Sequence, residues 1–333
     1  MNLLNVHLCL SKRFLKHKFA SKNGGWKMSF LLIQELVQMA EERSCTIANL
    51  MLEAEVEETG KTKDEIINKM NHQFDIMEQA VRQGTNQPVK SKTGLTGGDG
   101  FLVHQYMLSG QSLLPADALQ SVANALAVSE VNASMGRIVA TPTAGAAGIL
   151  PGVLIYILDA KTYSRDKIVE SMLTAAALGL VIANSASISG AIGGCQAEVG
   201  SATAMAAGAL VELAGGLPRQ VANAVGIALK NSLGLVCDPV GGLVEIPCIM
   251  RNGLHAVTAL AAADMALAGV QSIIPADEVI SVMHRIGQEL PSSLRETGLG
   301  GLAATPTGKR LRERVFGKFG INTDESTIGR ENQ

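Results

Sequence analysis

Three cysteines stand where the helical periodicity of the chain is interrupted: Cys195, Cys237 and Cys248, separated by 42 and then 11 residues. Cys195 follows Gly190, Gly193 and Gly194; Cys237 is followed by Asp238-Pro239 and Gly241-Gly242; Cys248 follows Pro247. The sequence therefore puts each thiol in a turn rather than in a helix. Such turns can curl thiolates toward one point and aim backbone N–H groups at bound sulfide. The competing reading is that a buried cysteine behaves as a small hydrophobe. Spacing alone favours the hydrophobe, because no compact Cys-x-x-Cys pair is present. Cys9 and Cys45 complete a set of five, too few and too odd for a secreted disulfide scaffold. That usage fits the cytoplasm, with free thiols or metal ligands.

Other polar residues sit in similar interruptions. Ser91-Lys92-Thr93-Gly94-Leu95-Thr96-Gly97-Gly98-Asp99 could present backbone N–H groups to an anion, yet it lacks the Gly-Lys-Ser/Thr order of a Walker loop. Thr96, Thr141, Thr143, Asn184, Ser187 and Ser189 are candidates for orienting a small substrate, each set against the ordinary role of a turn or cap. Arg251 and Asn252 follow Cys248 and could meet a carboxylate, or Arg251 could simply pair with Glu245. No general base is legible. His7 and His17 lie in the leader, His72 on an amphipathic helix, and His104, His255 and His284 in helical stretches without catalytic context.

The elements that must hold these residues are helical. Ala-rich runs at Ala116–Val128, Ile168–Val181, Ala202–Ala214, Val221–Leu229 and His255–Ala268 alternate with Gly, Pro, Ser and Thr turns, and no period-2 alternation appears. The expected fold is mainly α: one predominantly helical catalytic domain over 91–317, with Gly/Pro-rich loops carrying the cysteines, preceded by an acidic helical segment over 28–90. In that segment Leu32, Leu36 and Met39 begin an apolar face. Thr62 and Glu65 form a capping box for a helix that Gly84 stops. Residues 1–27 hold six basic and no acidic side chains, and are read as sequence upstream of a functional start at Met28. Residues 318–333 are read as a polar, frayed tail.

Composition excludes several functions. Of 333 residues, 47% are apolar and 17% charged, which rules out general disorder. Twenty-eight basic against 30 acidic residues argue against nucleic acid. A mean hydropathy of +0.22 raises a small-residue-rich membrane protein as the rival. Residues 138–158 and 171–197 lack charge and are long enough to span. Their Ser, Thr, Asn and Pro content, and the absence of aromatic belts, argue for no membrane.

The segments around the cysteines carry more than spacing. Gly194-Cys195-Gln196-Ala197-Glu198-Val199-Gly200-Ser201 and Leu235-Val236-Cys237-Asp238-Pro239-Val240-Gly241-Gly242-Leu243-Val244-Glu245-Ile246-Pro247-Cys248 closely resemble the iron–sulfur-dependent bacterial L-serine dehydratases. Lys92–Asp99, Glu130–Ala133, Thr141–Gly148, Asn184–Gly190 and Leu294–Gly308 extend the resemblance from about Met28 to Gly317, in the pattern of the α subunit of the two-subunit type. The resemblance implies a [4Fe–4S] cluster on Cys195, Cys237 and Cys248, no pyridoxal phosphate, and elimination of the hydroxyl of L-serine to give pyruvate and ammonia. It also implies a hetero-oligomer with a β subunit, since the family's Ser-x-His-Thr-x-Gly-Pro stretch is missing here and belongs to that partner. L-Cysteine or L-threonine is the alternative substrate.

Overall fold

Why the Ala-rich runs become a core is visible at α9 (Ser201–Leu213), where every residue but Glu212 is buried. Small side chains let neighbouring helices approach closely. A Cβ on Gly208 would stand 2.2 Å from Leu178 Cδ1, so the Leu178 side chain of α7 (Arg165–Ser185) seats directly on the α9 backbone. α10 (Pro218–Lys230) and α11 (Cys248–Leu267) pack against α9, and α5 (Ala116–Ala133) against α11 and α6 (Ile149–Asp159).

The structure, a computed structural model, describes residues 30–317 and the backbone of a strand β1 (Val6–His7). β1 pairs in parallel with β2 (Val139–Ala140), the only sheet among the described residues. The readings of residues 1–27 as upstream sequence, and of 318–333 as a tail, otherwise lie outside the described residues. The fold is mainly α, 69% helical, with almost no strand.

Three outer helices close one side: α1 (Ile33–Glu42), α2 (Ile47–Thr59) and α3 (Lys63–Asn86). Their buried Ile33, Leu36, Leu50, Phe74 and Met77 belong to the same contiguous apolar cluster as α5–α12. Carboxylates from the inner helices cap them. Glu212 accepts the N–H groups of Ile47 and Ala48 at 2.7 and 3.0 Å. Asp277, on α12 (Ala276–Glu289), does the same for Ile33 and Gln34. These are orphan donors at helix starts, and a carboxylate there also meets the positive end of the helix dipole.

Two local expectations change. The inward face of α1 is Ile33, Leu36 and Ala40, whereas Leu32 precedes the helix and is exposed. The Thr62–Glu65 box starts α3 as the sequence indicates, but the helix runs through Gly84 to Asn86. Gly84 is there because a Cβ would stand 2.6 Å from Ala127 Cβ. Close contact with α5, rather than a C-cap, accounts for it.

The charge-free run 171–197 is not one span. α7 ends at Ser185, and four fifths of its apolar window (78%) is buried inside the protein. Residues 138–158 hold β2, a turn and the eleven-residue α6. α7 is the helix among the described residues long and apolar enough to cross a bilayer, and it is a core helix.

Candidate functional site

The three cysteines come from three segments and converge. Cys195 follows the short helix α8 (Gly190–Gly193) and opens a π-turn, Gln196–Gly200, that runs into α9. Cys237 sits in extended chain. Its N–H donates to Leu294 O at 2.9 Å, and its carbonyl accepts Glu296 N–H at 2.7 Å. Cys248 is the first residue of α11, after a cis Ile246–Pro247 bond. So only Cys237 lies outside a helical element. The glycines and prolines mark the starts of helices, where the chain must turn sharply before the first helical residue.

Side chains knit these segments together. Gln196 is fully buried; its amide donates to Gly193 O and Met283 O and accepts Gly234 N–H at 2.9 Å, while its own N–H donates to Leu235 O. That fastens the Cys195 turn to the approach to Cys237. Arg251, one turn into α11, donates to Val236 O at 2.7 Å and to Asp238 Oδ1 at 3.0 Å. Asp238 in turn accepts Leu302 N–H at 2.8 Å. Arg251 therefore pairs with Asp238, not Glu245.

All three thiols are buried, at 1, 2 and 6% exposure for Cys195, Cys237 and Cys248. The Cys195 thiol is pulled down by a hydrogen bond from Cys237, against burial, with help from the Arg251 guanidinium. The Cys237 thiol is pushed up by its bond to Cys195 and by burial; burial, then the charge on Cys195, pushes Cys248 up. One thiolate is thus favoured and two thiols resist ionisation. Holding all three as thiolates requires added positive charge among them, which a metal centre supplies on binding. The donor set suits a thiophilic, multivalent group. No set of three His, Cys, Asp or Glu side chains among the described residues is arranged around a single ion. Cys45, near Arg43, Glu53 and Glu212, stands apart from the trio, and Cys9 lies outside the described residues.

Two carboxylates that the sequence reading did not single out share the site. Glu198 lies within the π-turn, three residues after Cys195, and accepts the Thr143 hydroxyl. Burial pushes its carboxyl up, and the Thr143 bond opposes that. Glu296 has positive φ (63°), a conformation uncommon for a side-chain-bearing residue. The backbone of Gly190 lies against both carboxylates and Cys237. A Cβ on Gly190 would stand 2.9 Å from Cys237 Sγ, 3.1 Å from Glu198 Oε2 and 3.2 Å from Glu296 Oε2.

The substrate candidates divide. Thr143 reaches the site through Glu198, and Thr141, next to the cis Thr141–Pro142 bond, is fully buried with an unpartnered hydroxyl. Thr96 and Thr93 donate to the two oxygens of Glu245, at 2.7 and 2.8 Å. Asn252 is fully buried and spends its amide on Gly145 O, Cys248 O and Gly148 N–H, tying α11 to the loop before α6. Asn184 donates to Phe30 O, holding the start of the described chain. Ser187 accepts Ser189 N–H, shaping the entry to α8. His255 bonds Arg251 O at 2.8 Å, His104 lies 3.1 Å from Thr85 O, and His72 and His284 meet Arg137 and Gln288. Glu198 could have been found from its position inside the Cys195 motif, and Glu296 from the matching stretch Leu294–Gly308.

Fold and site together define an α-helical protein with a buried three-thiol centre. The chain belongs to the family described as "Serine dehydratase alpha chain", which it matches over residues 42–303. It is 53% identical over 288 residues to the "Probable L-serine dehydratase, alpha chain" of Bacillus subtilis (strain 168), covering 86% of this chain and 96% of that protein. The "L-serine dehydratase, alpha chain" of Peptoniphilus asaccharolyticus is 42% identical, over 86% of this chain and 98% of its own. The "L-serine dehydratase" of Streptomyces coelicolor is 41% identical over 83% of this chain, but only 61% of that longer protein.

Proposed function

We propose that this chain is the α subunit of an L-serine dehydratase that converts L-serine to pyruvate and ammonia in the cytoplasm. The observation that carries the reading is the convergence of Cys195, Cys237 and Cys248 in a chain of this family. These thiols would hold a [4Fe–4S] cluster. When bound, a cluster held by these three cysteines would supply Lewis-acid assistance to the departing hydroxyl. Residues 91–317 carry the site and 28–90 support it.

The chain's own residues do the rest. Arg251 fixes the Cys195 and Cys237 segments against α11. Burial excludes bulk water from the thiols, strengthening every electrostatic contact there. Thr143 orients Glu198 toward the substrate space. Loss of the α-proton and of hydroxide from serine gives aminoacrylate and water. The aminoacrylate tautomerises to the imine, whose hydrolysis releases pyruvate and ammonia.

We assign the group that takes the α-proton to a β subunit. No histidine among the described residues is bonded to a thiol. The longer Streptomyces relative carries roughly two fifths of its length beyond the part matched here. Ile192, Met250, Leu299 and Leu302, close in sequence to the three cysteines or to Glu296, are exposed apolar side chains suited to being covered.

The test is anaerobic reconstitution with iron, sulfide and reductant, with and without the β chain, followed by a pyruvate assay on L-serine. Iron-dependent turnover only in the two-chain mixture, unaffected by pyridoxal phosphate and lost in air, is the expected result. Full activity in an iron-free preparation overturns the iron–sulfur chemistry. Equal turnover by this chain alone overturns the need for a partner.

A further inference from the structure

Away from the thiols, α2, α3 and α7 enclose a cleft of about 540 Å³, its open mouth included. Within it, about 50 Å³ admits the centres of water-sized groups, room for a short aliphatic chain. The walls are Met51 of α2, Ile66 and Met70 of α3, and Leu173 and Ala176 of α7, all buried. Helical spacing explains the shape. Met51 and Glu55 lie one turn apart on α2, and Ile66, Lys69, Met70 and Gln73 share one face of α3, so each helix presents a stripe of mixed polarity to the cleft.

Two acceptors bordering this cleft lack donors. Gln73 is 4% exposed, and its side-chain oxygen Oε1 is buried with no hydrogen-bond partner among the described residues. An amide oxygen left unpaired in apolar surroundings is costly, and folded proteins rarely tolerate one. A lone water there would need further polar partners, and the five apolar walls offer none. Glu55 is half-buried; burial pushes its carboxyl up against the pull of Lys69, and its carboxylate accepts no hydrogen bond among the described residues. Helical side chains lean toward the start of their own helix. Glu55 therefore leans away from the turn at residues 60–62 that joins α2 to α3, and Gln73 leans toward it, which brings the two acceptors toward one another. Lys61 and Lys69 border the same cleft, exposed, and neither forms a salt bridge among the described residues.

Unpaired acceptors call for a donor, apolar walls for a short hydrocarbon, and exposed cations at the mouth for an anion. An aliphatic α-amino acid carries all three. We propose that the cleft between α2, α3 and α7 binds a small aliphatic amino acid, its ammonium held by Glu55 and Gln73, its carboxylate turned to Lys61 and Lys69, and its side chain against Met51, Met70 and Leu173. The charge-assisted bond to Glu55 fixes the ammonium, and the two thioethers adapt to the shape of the chain. The site shares no residue with the cysteine centre and does not depend on the reaction assigned there.

The probe is L-valine, set against isobutylamine, which lacks its carboxylate, isovalerate, which lacks its ammonium, and glycine, which lacks the chain. The full chain carrying methyl-labelled methionine reports the cleft directly by NMR, with the Met51 and Met70 signals assigned from Met51→Leu and Met70→Leu. L-Valine at about 10 mM, enough to fill a site of millimolar affinity, should shift both signals saturably. Each of the other three should bind about tenfold more weakly or worse, the worth of one charged hydrogen bond or a short buried chain. Glu55→Gln should weaken L-valine by about tenfold and leave isovalerate unchanged. Gln73→Leu should weaken L-valine similarly and melt higher than wild type, since a hydrocarbon of similar size replaces an unpaired amide. Unmoved Met51 and Met70 signals overturn the proposal, as does isobutylamine, isovalerate or glycine binding as tightly as L-valine. L-Valine affinity undiminished in either variant does the same. A Gln73→Leu chain that melts lower overturns the unpaired acceptor on which the proposal rests.

Discussion

Thr96 donates its hydroxyl hydrogen to Glu245 Oε2 at 2.7 Å, joining residues 149 positions apart in the chain. Thr93 donates to the other oxygen, so one buried carboxylate fastens the glycine-rich 91–98 loop three residues before Cys248. Glu245→Ala should free both hydroxyls, cost about 1–3 kcal/mol for unpaired polar groups, and speed amide exchange in the loop. Ser91 N–H and Gly94 N–H, now bonded to Thr96 O and Ser91 O, are the amides to follow by hydrogen exchange. Unchanged protection there would mean that the loop is held by its backbone alone.

Arg251 adds to the pull that the Cys237 hydrogen bond exerts on the Cys195 thiol. It favours the Cys195 thiolate, so Arg251→Met should raise the pH at which Cys195 in the cluster-free chain reacts with iodoacetamide. The substitution also strands buried Asp238, a change that costs about 3–5 kcal/mol when one partner of a buried pair is removed. Arg251→Lys should keep part of the stability but not both directed hydrogen bonds. Alkylation with the same pH midpoint in Arg251→Met and wild type would show that Cys237 alone controls the thiolate.

Glu130 gives the protein a pH dependence of known sign. It is fully buried and accepts the N–H groups of Asp99 and Gly100, where α4 (Asp99–Leu108) begins. Burial pushes its carboxyl up from 4.5 to about 7, and the bonds from Asp99 and Gly100 oppose the rise without cancelling it. Between those values the folded state binds more protons than the unfolded one, so this group's contribution declines as pH rises from 4.5 through 7. Glu130→Gln cannot ionise and should flatten that part of the stability profile in urea titrations at successive pH. A profile identical to wild type would show that the carboxyl titrates normally.

Gly84 and Ala127 should behave as a coupled pair. Gly84→Ala drives a Cβ to 2.6 Å from Ala127 Cβ, and overpacking of this kind costs about 1–3 kcal/mol, more than the helix propensity gained. Ala127→Gly removes one of the three atoms that a Gly84 Cβ would meet, while Ala127 Cα and O remain 2.7 and 2.9 Å away, so the double variant should recover part of the loss and melt higher than the sum of the single changes allows. Strict additivity in thermal melts would place the two residues out of contact.

The helices were readable because Ala-rich runs between Gly and Pro turns have one economical solution, close helix packing. The boundaries were less so. Ala202–Ala214 appears as Ser201–Leu213, whereas His255–Ala268 extends back to Cys248, because the helical register continues through the polar Arg251 and Asn252 that the sequence reading set apart as site residues. Those two face inward to bond Asp238 and Gly145 O, which hydrophobic periodicity cannot register. Gly84 was misread for a similar reason: a glycine stops a helix or admits a neighbour, and only the position of Ala127 distinguishes the two. In the site, the cysteines announced themselves through their motifs. Glu296 lies in the matching stretch Leu294–Gly308, but its pairing with Cys237 spans 59 residues of chain, and no local pattern encodes that.

That pairing has a consequence for biosynthesis. Cys237 is pinned by Leu294 and Glu296, and Asp238 by Leu302, all made well after the last of the three cysteines. Chains grow from the N-terminus, and domains fold as their parts emerge. While residues 250–290 are being translated, all three thiols exist but the walls that bury them do not. Only emergence of the segment through Leu302 supplies the last of the contacts that hold Cys237 and Asp238 in place. The last structural lock of the chain is thus also the guard of its cysteines.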